Sequence, residues 1–267
     1  MIVLTGATGG IGTALALHLA ARGEHLVLTA RDTDRLEQLA VQVRSAGGTA
    51  SVHPCDMRDQ DAVTDLVRRV LAEGVPDAVV VLAGHSIRRR LEASFGRPHD
   101  LVRLAGTNML GPATLVLGLL EPMCARGSGR IVAVTSAATR IPTPGWAAYA
   151  ATKSGLDTWL RALRPEATAR GVGVSIVEMP LVATAMAAPT YGAAPRGAMT
   201  PQQGAAMVLR GLESRRTLVS PLWVRAGAVL SQAAPSTAAR LAGVGGEVTA
   251  RLLRRDRPGG PMGTGWS

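Results

Sequence analysis

The sequence predicts an α/β chain, in which one doubly wound parallel sheet carries helices on both faces. Three observations predict it. Short apolar runs alternate with segments of helical spacing along 267 residues, a length that fits one such domain. The runs are almost continuously apolar, as strands covered on both faces must be. A glycine-rich turn, "TGATGGIG", joins the first apolar run to the first helical segment.

The elements follow in order. "MIVLT" is a β run, and "GTALALHLAARG" has helical spacing and stops at Gly23. "HLVLTA" is a second strand, followed by the amphipathic helix "TDRLEQLAVQVRSAGG" with its glycine stop. "TASVHPC" is a third strand and "DQDAVTDLVRRVLAEG" a third helix. "DAVVVLAG" is a fourth strand, and residues 99 to 126 read as one long helix containing Asn108. "GRIVAVTS", the helix "YAATKSGLDTWLRALRPEATARG" and the strand "VGVSIVEMP" continue the alternation. Residues 181–203, rich in Ala, Pro, Gly and Thr, read as a loop or weak helix and as a substrate lid. A helix restarts at "TPQQGAAMVLRGLES", with Thr200 as N-cap and Pro201 at its first position. "RTLVS" reads as a last short strand. Residues 1–220 thus form one domain, and 221–267 a C-terminal extension ending in a frayed Gly/Pro-rich tail.

Composition narrows the function. Hydrophobic residues make up 47% and charged residues 18%, as in a globular chain. No apolar run is long enough to span a membrane, and no signal peptide is visible. Cys55 and Cys124 lack metal-ligand spacing, so no metal site is expected and a reduced, cytoplasmic protein is the simple reading. The formal charge is +10, with arginine clusters at 88–90 and 251–257. Only 3% of residues are aromatic and none interleaves with those arginines, which argues against nucleic acid. A solvated face, or a patch meeting an anionic ligand, fits better.

In the first turn, Gly6, Gly10 and Gly12 let the backbone bend tightly and approach a pyrophosphate. The helix start behind them, with Thr8 and Ile11, favours negative charge. The turn and sheet together make a Rossmann-type dinucleotide site the expectation. Against so arginine-rich a background, the one lysine, Lys153, stands four residues after Tyr149, one of two tyrosines. That gap puts both on one helix face.

On these residues the chain resembles the short-chain dehydrogenase/reductase family. Thr5, Gly6, Gly10 and Gly12 match the family's nucleotide turn, and the likeness covers about residues 1 to 220. It implies a catalytic set of Asn108, Ser136, Tyr149 and Lys153. Tyr149 would exchange a proton with a carbonyl oxygen that Ser136 holds, its phenol pKa lowered by Lys153 and the oxidised nicotinamide. Lys153 would also bind the nicotinamide ribose, and Asn108 would hold a water linking the lysine to solvent. Where NAD-preferring members carry an acid after the second strand, this chain has Ala30 and then Arg31. An arginine can pair with a 2′-phosphate, so NADPH is expected over NADH. Asp32 could turn inward instead. Asp56 matches the family's adenine-contacting aspartate.

The chain also departs from the family pattern. Val81-Leu82-Ala83-Gly84 stands where an Asn-Asn-Ala-Gly run is usual, so the contacts of both amide side chains must be replaced or lost. Ala83 and Gly84 remain expected beside the cofactor. "MPLVATAM" lacks a glycine and is one residue shorter than the family's segment, leaving Thr184 as the candidate for the carboxamide contact. "AGHSIRRRLEASFGRPHD", "VEMPLVATAMAAPT" and "MTPQQGAAMVLRGL" resemble the reductase module of bacterial fatty acyl-CoA reductases.

The resemblance implies an apolar carbonyl substrate, either a ketone or aldehyde or an acyl thioester, and a homodimer or homotetramer. Met186, Tyr191 and Met199 would suit an apolar pocket, and core packing would explain them equally well. The apolar stretch beyond 222 could line the pocket, join a subunit interface or lie on a membrane, though nothing supports membrane contact. A non-catalytic dinucleotide sensor is the alternative of a different class.

Overall fold

The computed structural model describes residues 1–192 and 195–242. The C-terminal tail and the arginine cluster at 251–257 lie outside the described residues.

The first half builds three strand–helix units: β1 (Ile2–Thr5), α1 (Gly10–Ala20), β2 (His25–Thr29), α2 (Thr33–Ser45), β3 (Thr49–Val52) and α3 (Gln60–Glu73). The second half opens with β4 (Ala78–Val81), α4 (Leu91–Ser94) and α5 (Pro98–Ala105). A π turn (Gly106–Leu110) then leads into α6 (Gly111–Arg126) and β5 (Gly129–Ser136). The remaining elements are α7 (Ala147–Ala169), β6 (Val172–Met179), α8 (Ala188–Tyr191), α9 (Pro201–Glu213), β7 (Leu218–Val219) and α10 (Leu222–Ala233).

All seven strands are parallel, in the order β3-β2-β1-β4-β5-β6-β7. Alternation along each strand divides the core into two layers. Val3, Val27, Val79 and Ile131 face one layer, with Leu66 of α3, Leu119 of α6 and Leu156 of α7. Leu4, Leu26, Val80 and Val132 face the other, with Leu15 of α1, Leu36 of α2 and Val208 of α9.

Local chemistry accounts for the helix starts. Asp32 and Asp59 cap α2 and α3 by accepting from first-turn backbone N–H groups. Thr200 and Gln203 form a reciprocal capping box at α9, with Pro201 in its first turn, as the sequence predicts.

Two expectations change. The helix expected over 99 to 126 is α5 and α6 joined by the π turn, which holds Asn108. The third and fourth strands end at Val52 and Val81, earlier than their apolar runs. The 181–203 segment keeps its expected character, a loop with one turn of helix, α8, and a parallel bridge between Val182 and Met199.

Candidate active site

The strand order reverses direction between β1 and β4, and a parallel sheet opens a crevice beyond its carboxyl ends at such a point. The glycine turn lies there. Gly6 has φ +64°, and a Cβ on it would stand 2.9 Å from the Ala83 nitrogen. A Cβ on Gly12 would meet the Gly6 carbonyl oxygen at 2.4 Å. Among the described residues no side chain caps the α1 N-terminus. The backbone is therefore bared at a helix start, the arrangement that suits a pyrophosphate. Ile11 sends its side chain against Gly204 of α9, where a Cβ would come within 3.1 Å of its Cγ1.

Thr5 resolves the missing Asn-Asn pair. Its hydroxyl accepts from the backbone N–H groups of both Leu82 and Ala83, at 3.0 Å each. The end of β4 is thereby tied to β1 without either amide side chain. Asn108 then fixes the chain beyond Gly84. Its Oδ1 accepts from the His85 N–H at 2.8 Å, and its Nδ2 donates to the His85 carbonyl at 2.9 Å and to Thr152 Oγ1 at 3.1 Å. The π turn sets this side chain, fully buried, at the crevice wall. A Cβ on Gly84 would stand 3.1 Å from Lys153 Nζ and 3.5 Å from Asn108 Oδ1, so the loop backbone runs directly beside both.

The register of β5 places Ser136. Its pairing with β4 stops at Ala133, while its pairing with β6 runs on to Ser136 opposite Met179. The last residues of β5 therefore present one free edge to the crevice. The Ala138 N–H donates to Ser136 Oγ at 3.2 Å, orienting the hydroxyl and leaving its proton for another acceptor. Tyr149 and Lys153 come from the first turns of α7. Lys153 is buried, and its Nζ donates to the Val134 carbonyl at 3.0 Å. Burial lowers its pKa to about 8.

The Tyr149 phenol is pushed up by burial, pulled back by a hydrogen bond with Ser136 and raised further by Tyr191. The net shift is upward, because burial of the phenol outweighs its hydrogen bond with Ser136. Lys153 is not among the groups that shift it, whereas the expectation had the lysine lower it together with the oxidised nicotinamide.

At the other end of the crevice, Arg31 is exposed at the β2 terminus, and its charge helps hold the Asp56 carboxyl below the usual range. Asp32 does not turn inward, because it accepts from the Arg35 N–H at 3.1 Å as the α2 cap. Two arginines not singled out in the sequence join here. Arg35 Nη2 donates to the Thr8 carbonyl at 2.8 Å, reaching across to the glycine turn. Arg58 grips both Asp56 oxygens, with Nε at 3.1 and 2.9 Å and Nη2 at 2.5 Å, so Asp56 is engaged by arginine.

The 181–203 segment meets the site at two points. Thr184 packs on the glycine turn, where a Cβ on Gly10 would come within 3.0 Å of its Cγ2. Tyr191 of α8 lies parallel to Trp146 at 6.1 Å, and Trp146 meets Tyr149 edge-on at 5.6 Å. An aromatic wall thus runs from this segment to the phenol. Trp146 carries no motif, and only its place three residues before Tyr149 could have singled it out.

Comparison with known proteins decides the family. The family model for short chain dehydrogenases matches residues 1–193. The chain belongs to the short-chain dehydrogenase/reductase family. A relative named fatty acyl-CoA reductase from Acinetobacter baylyi is 35% identical over 216 residues, covering 80% of this chain and 72% of the relative. A fatty acyl-CoA reductase of Mycobacterium tuberculosis is 34% identical over 222 residues, 82% of this chain and 76% of that protein. Among solved short-chain dehydrogenase/reductase structures, a metagenomic oxidoreductase in complex with NADP superposes with a TM-score of 0.70 at 29% identity. The match covers 82% of this chain and 94% of that one.

Proposed function

We propose that this oxidoreductase is an NADPH-dependent reductase of apolar carbonyl compounds. The observation that carries the reading is the convergence of Ser136, Tyr149 and Lys153 on one crevice, with a bared glycine turn at its floor. The pyrophosphate would rest on Gly6, Thr8, Gly10, Ile11 and Gly12, and the ribose on Tyr149 and Lys153. Ala83 and Gly84 would border the cofactor between the glycine turn and Lys153, and Thr184 the carboxamide. Arg31 and Arg35 flank the place of the 2′-phosphate. Asp32 is committed to its helix cap, which supports NADPH over NADH.

When bound, the reduced nicotinamide supplies the hydride, and its oxidised form supplies positive charge beside the phenol. The chain supplies the proton. Ser136 would turn its hydroxyl proton from the phenol to the carbonyl oxygen and hold it there. Tyr149 gives that oxygen its proton as the carbon accepts hydride, leaving an alcohol and a phenolate that is reprotonated from solvent. The Trp146–Tyr191 wall covers the phenol and favours an apolar substituent on the substrate.

A second reading, acyl-thioester reduction, has its own support besides the named relatives. Arg210, Arg216 and Arg225 line an open depression with Met199, Met207 and Trp223, beside the lid. Among the described residues no acid lines it. That chemistry suits a phosphate-bearing acyl carrier. On a thioester, hydride addition expels thiolate and leaves an aldehyde.

The test is NADPH consumption over apolar ketones, medium- and long-chain aldehydes and acyl-CoAs, with NADH as control and released thiol assayed in parallel. Ketone or aldehyde turnover without thiol supports the first reading, and thiol release supports the second. Cofactor binding with no turnover across the panel would point to the dinucleotide sensor.

A further inference from the structure

The segment that carries Ser136 is tied down by a buried charge cluster that the proton chemistry does not use. Arg140 follows Ser136 by four residues. Its Nε donates to Glu178 Oε1 at 2.5 Å and its Nη2 to Asp157 Oδ2 at 2.6 Å. Arg161 closes the ring, with Nε to the same Asp157 oxygen at 2.8 Å and Nη2 to the same Glu178 oxygen at 3.1 Å. Both carboxylates are 2% exposed.

The four residues come from three places that together define the site. Asp157 is on α7, one turn beyond Lys153 and two beyond Tyr149. Glu178 is on β6, opposite Thr135 in register and one residue before the partner of Ser136. Arg140 ends the short 3₁₀ turn Ala137–Thr139, whose Thr139 hydroxyl donates to the Ser136 carbonyl at 2.7 Å. A single guanidinium thus joins the Ser136 segment to the Tyr149 helix and to the strand beside it.

Burying two carboxylates against two guanidinium groups carries a desolvation cost that well-packed apolar side chains would avoid. What the charges supply is direction, because a guanidinium forks to two carboxylates only in one geometry. The two arginines differ in what they connect. Arg161 already shares α7 with Asp157 and joins that helix to β6. Arg140 is the one that reaches the reacting segment.

We propose that Arg140 is a positioning residue. Through Asp157 and Glu178 it holds the 136–140 segment so that the Ser136 hydroxyl stays in line with the Tyr149 phenol. The catalytic part of this inference rests on the reductase reading, whereas the anchoring part does not.

The experiment compares Arg140→Ala with Arg161→Ala, since each removes one arginine from the same ring. The first readout is amide hydrogen exchange, which needs no turnover. Arg140→Ala speeds exchange across residues 137–141 by about tenfold or more, and Arg161→Ala leaves that segment near the wild-type rate. The second readout is kcat on the responding carbonyl. It falls on the order of a hundredfold in Arg140→Ala, with the Kd for NADPH within about twofold of wild type, and it stays within about threefold in Arg161→Ala. Should an alanine variant fail to fold, Arg140→Lys and Arg161→Lys are compared instead, with the same order expected, because an ammonium cannot fork to both carboxylates. Equal effects of the two substitutions on exchange and on kcat would overturn the proposal, and so would wild-type exchange and kcat in Arg140→Ala. A wild-type protein that binds NADPH without turning over any carbonyl would sink the reductase reading alone, and the exchange comparison would still decide the anchoring.

Discussion

Lys153 is asked to be charged in a place that disfavours charge. Its ammonium is buried, has the Val134 carbonyl as acceptor, and has its pKa lowered from 10.5 to about 8. Between those two values the unfolded chain holds a proton that the folded chain has released, so stability rises with pH across the window. A drop from 10.5 to about 8 corresponds to on the order of 3 kcal/mol. Urea unfolding of wild type and Lys153→Met between pH 7.5 and 10 isolates this group. The wild type should gain on the variant as pH rises, and a difference that stays flat would contradict the burial argument. At this scale the sequence was informative where residue types were rare. The lone Lys153 and Asn108, and Tyr149 as one of two tyrosines, stood out against an arginine-rich background. Arg140 did not, being one arginine among many, and only the fold brings Asp157 and Glu178 to it.

Strand and helix ends decide how the crevice is shaped. β4 stops at Val81 and β5 continues to Ser136, which opens the edge where Ser136 stands. The apolar run "VVVLAG" gave no sign of that stop, because Leu82 and Ala83 stay apolar while their N–H groups turn to the Thr5 hydroxyl. Replacing Thr5 by valine keeps the shape and orphans both donors. It should cost about 2 kcal/mol or more in urea unfolding, and a loss below about 0.5 kcal/mol would contradict this account of the β4 end. The helix over 99 to 126 was legible from its spacing. Its π turn was not, since the turn's Asn108 reaches the backbone of His85 on a distant loop. The caps Asp32 and Thr200 are local, and local chemistry can be read from sequence.

The whole molecule follows from alternation. Apolar runs between helices require a covered parallel sheet, the sheet creates a reversal point, and the reversal point places the glycine turn opposite the Ser136 edge. The break in the alternation at 181–203 was legible in the composition. The stacking of Tyr191 on Trp146 was not, because that pairing joins residues far apart in the chain. The central claim is that this crevice uses the Tyr149 phenol to move a proton during carbonyl reduction. Its most direct measurement compares wild type with Tyr149→Phe, reading the Kd for NADPH and single-turnover NADPH oxidation on the best carbonyl substrate. The account predicts nearly unchanged binding and a rate lower by on the order of 10²–10⁴-fold in the variant. A variant that oxidises NADPH at the wild-type rate would contradict it.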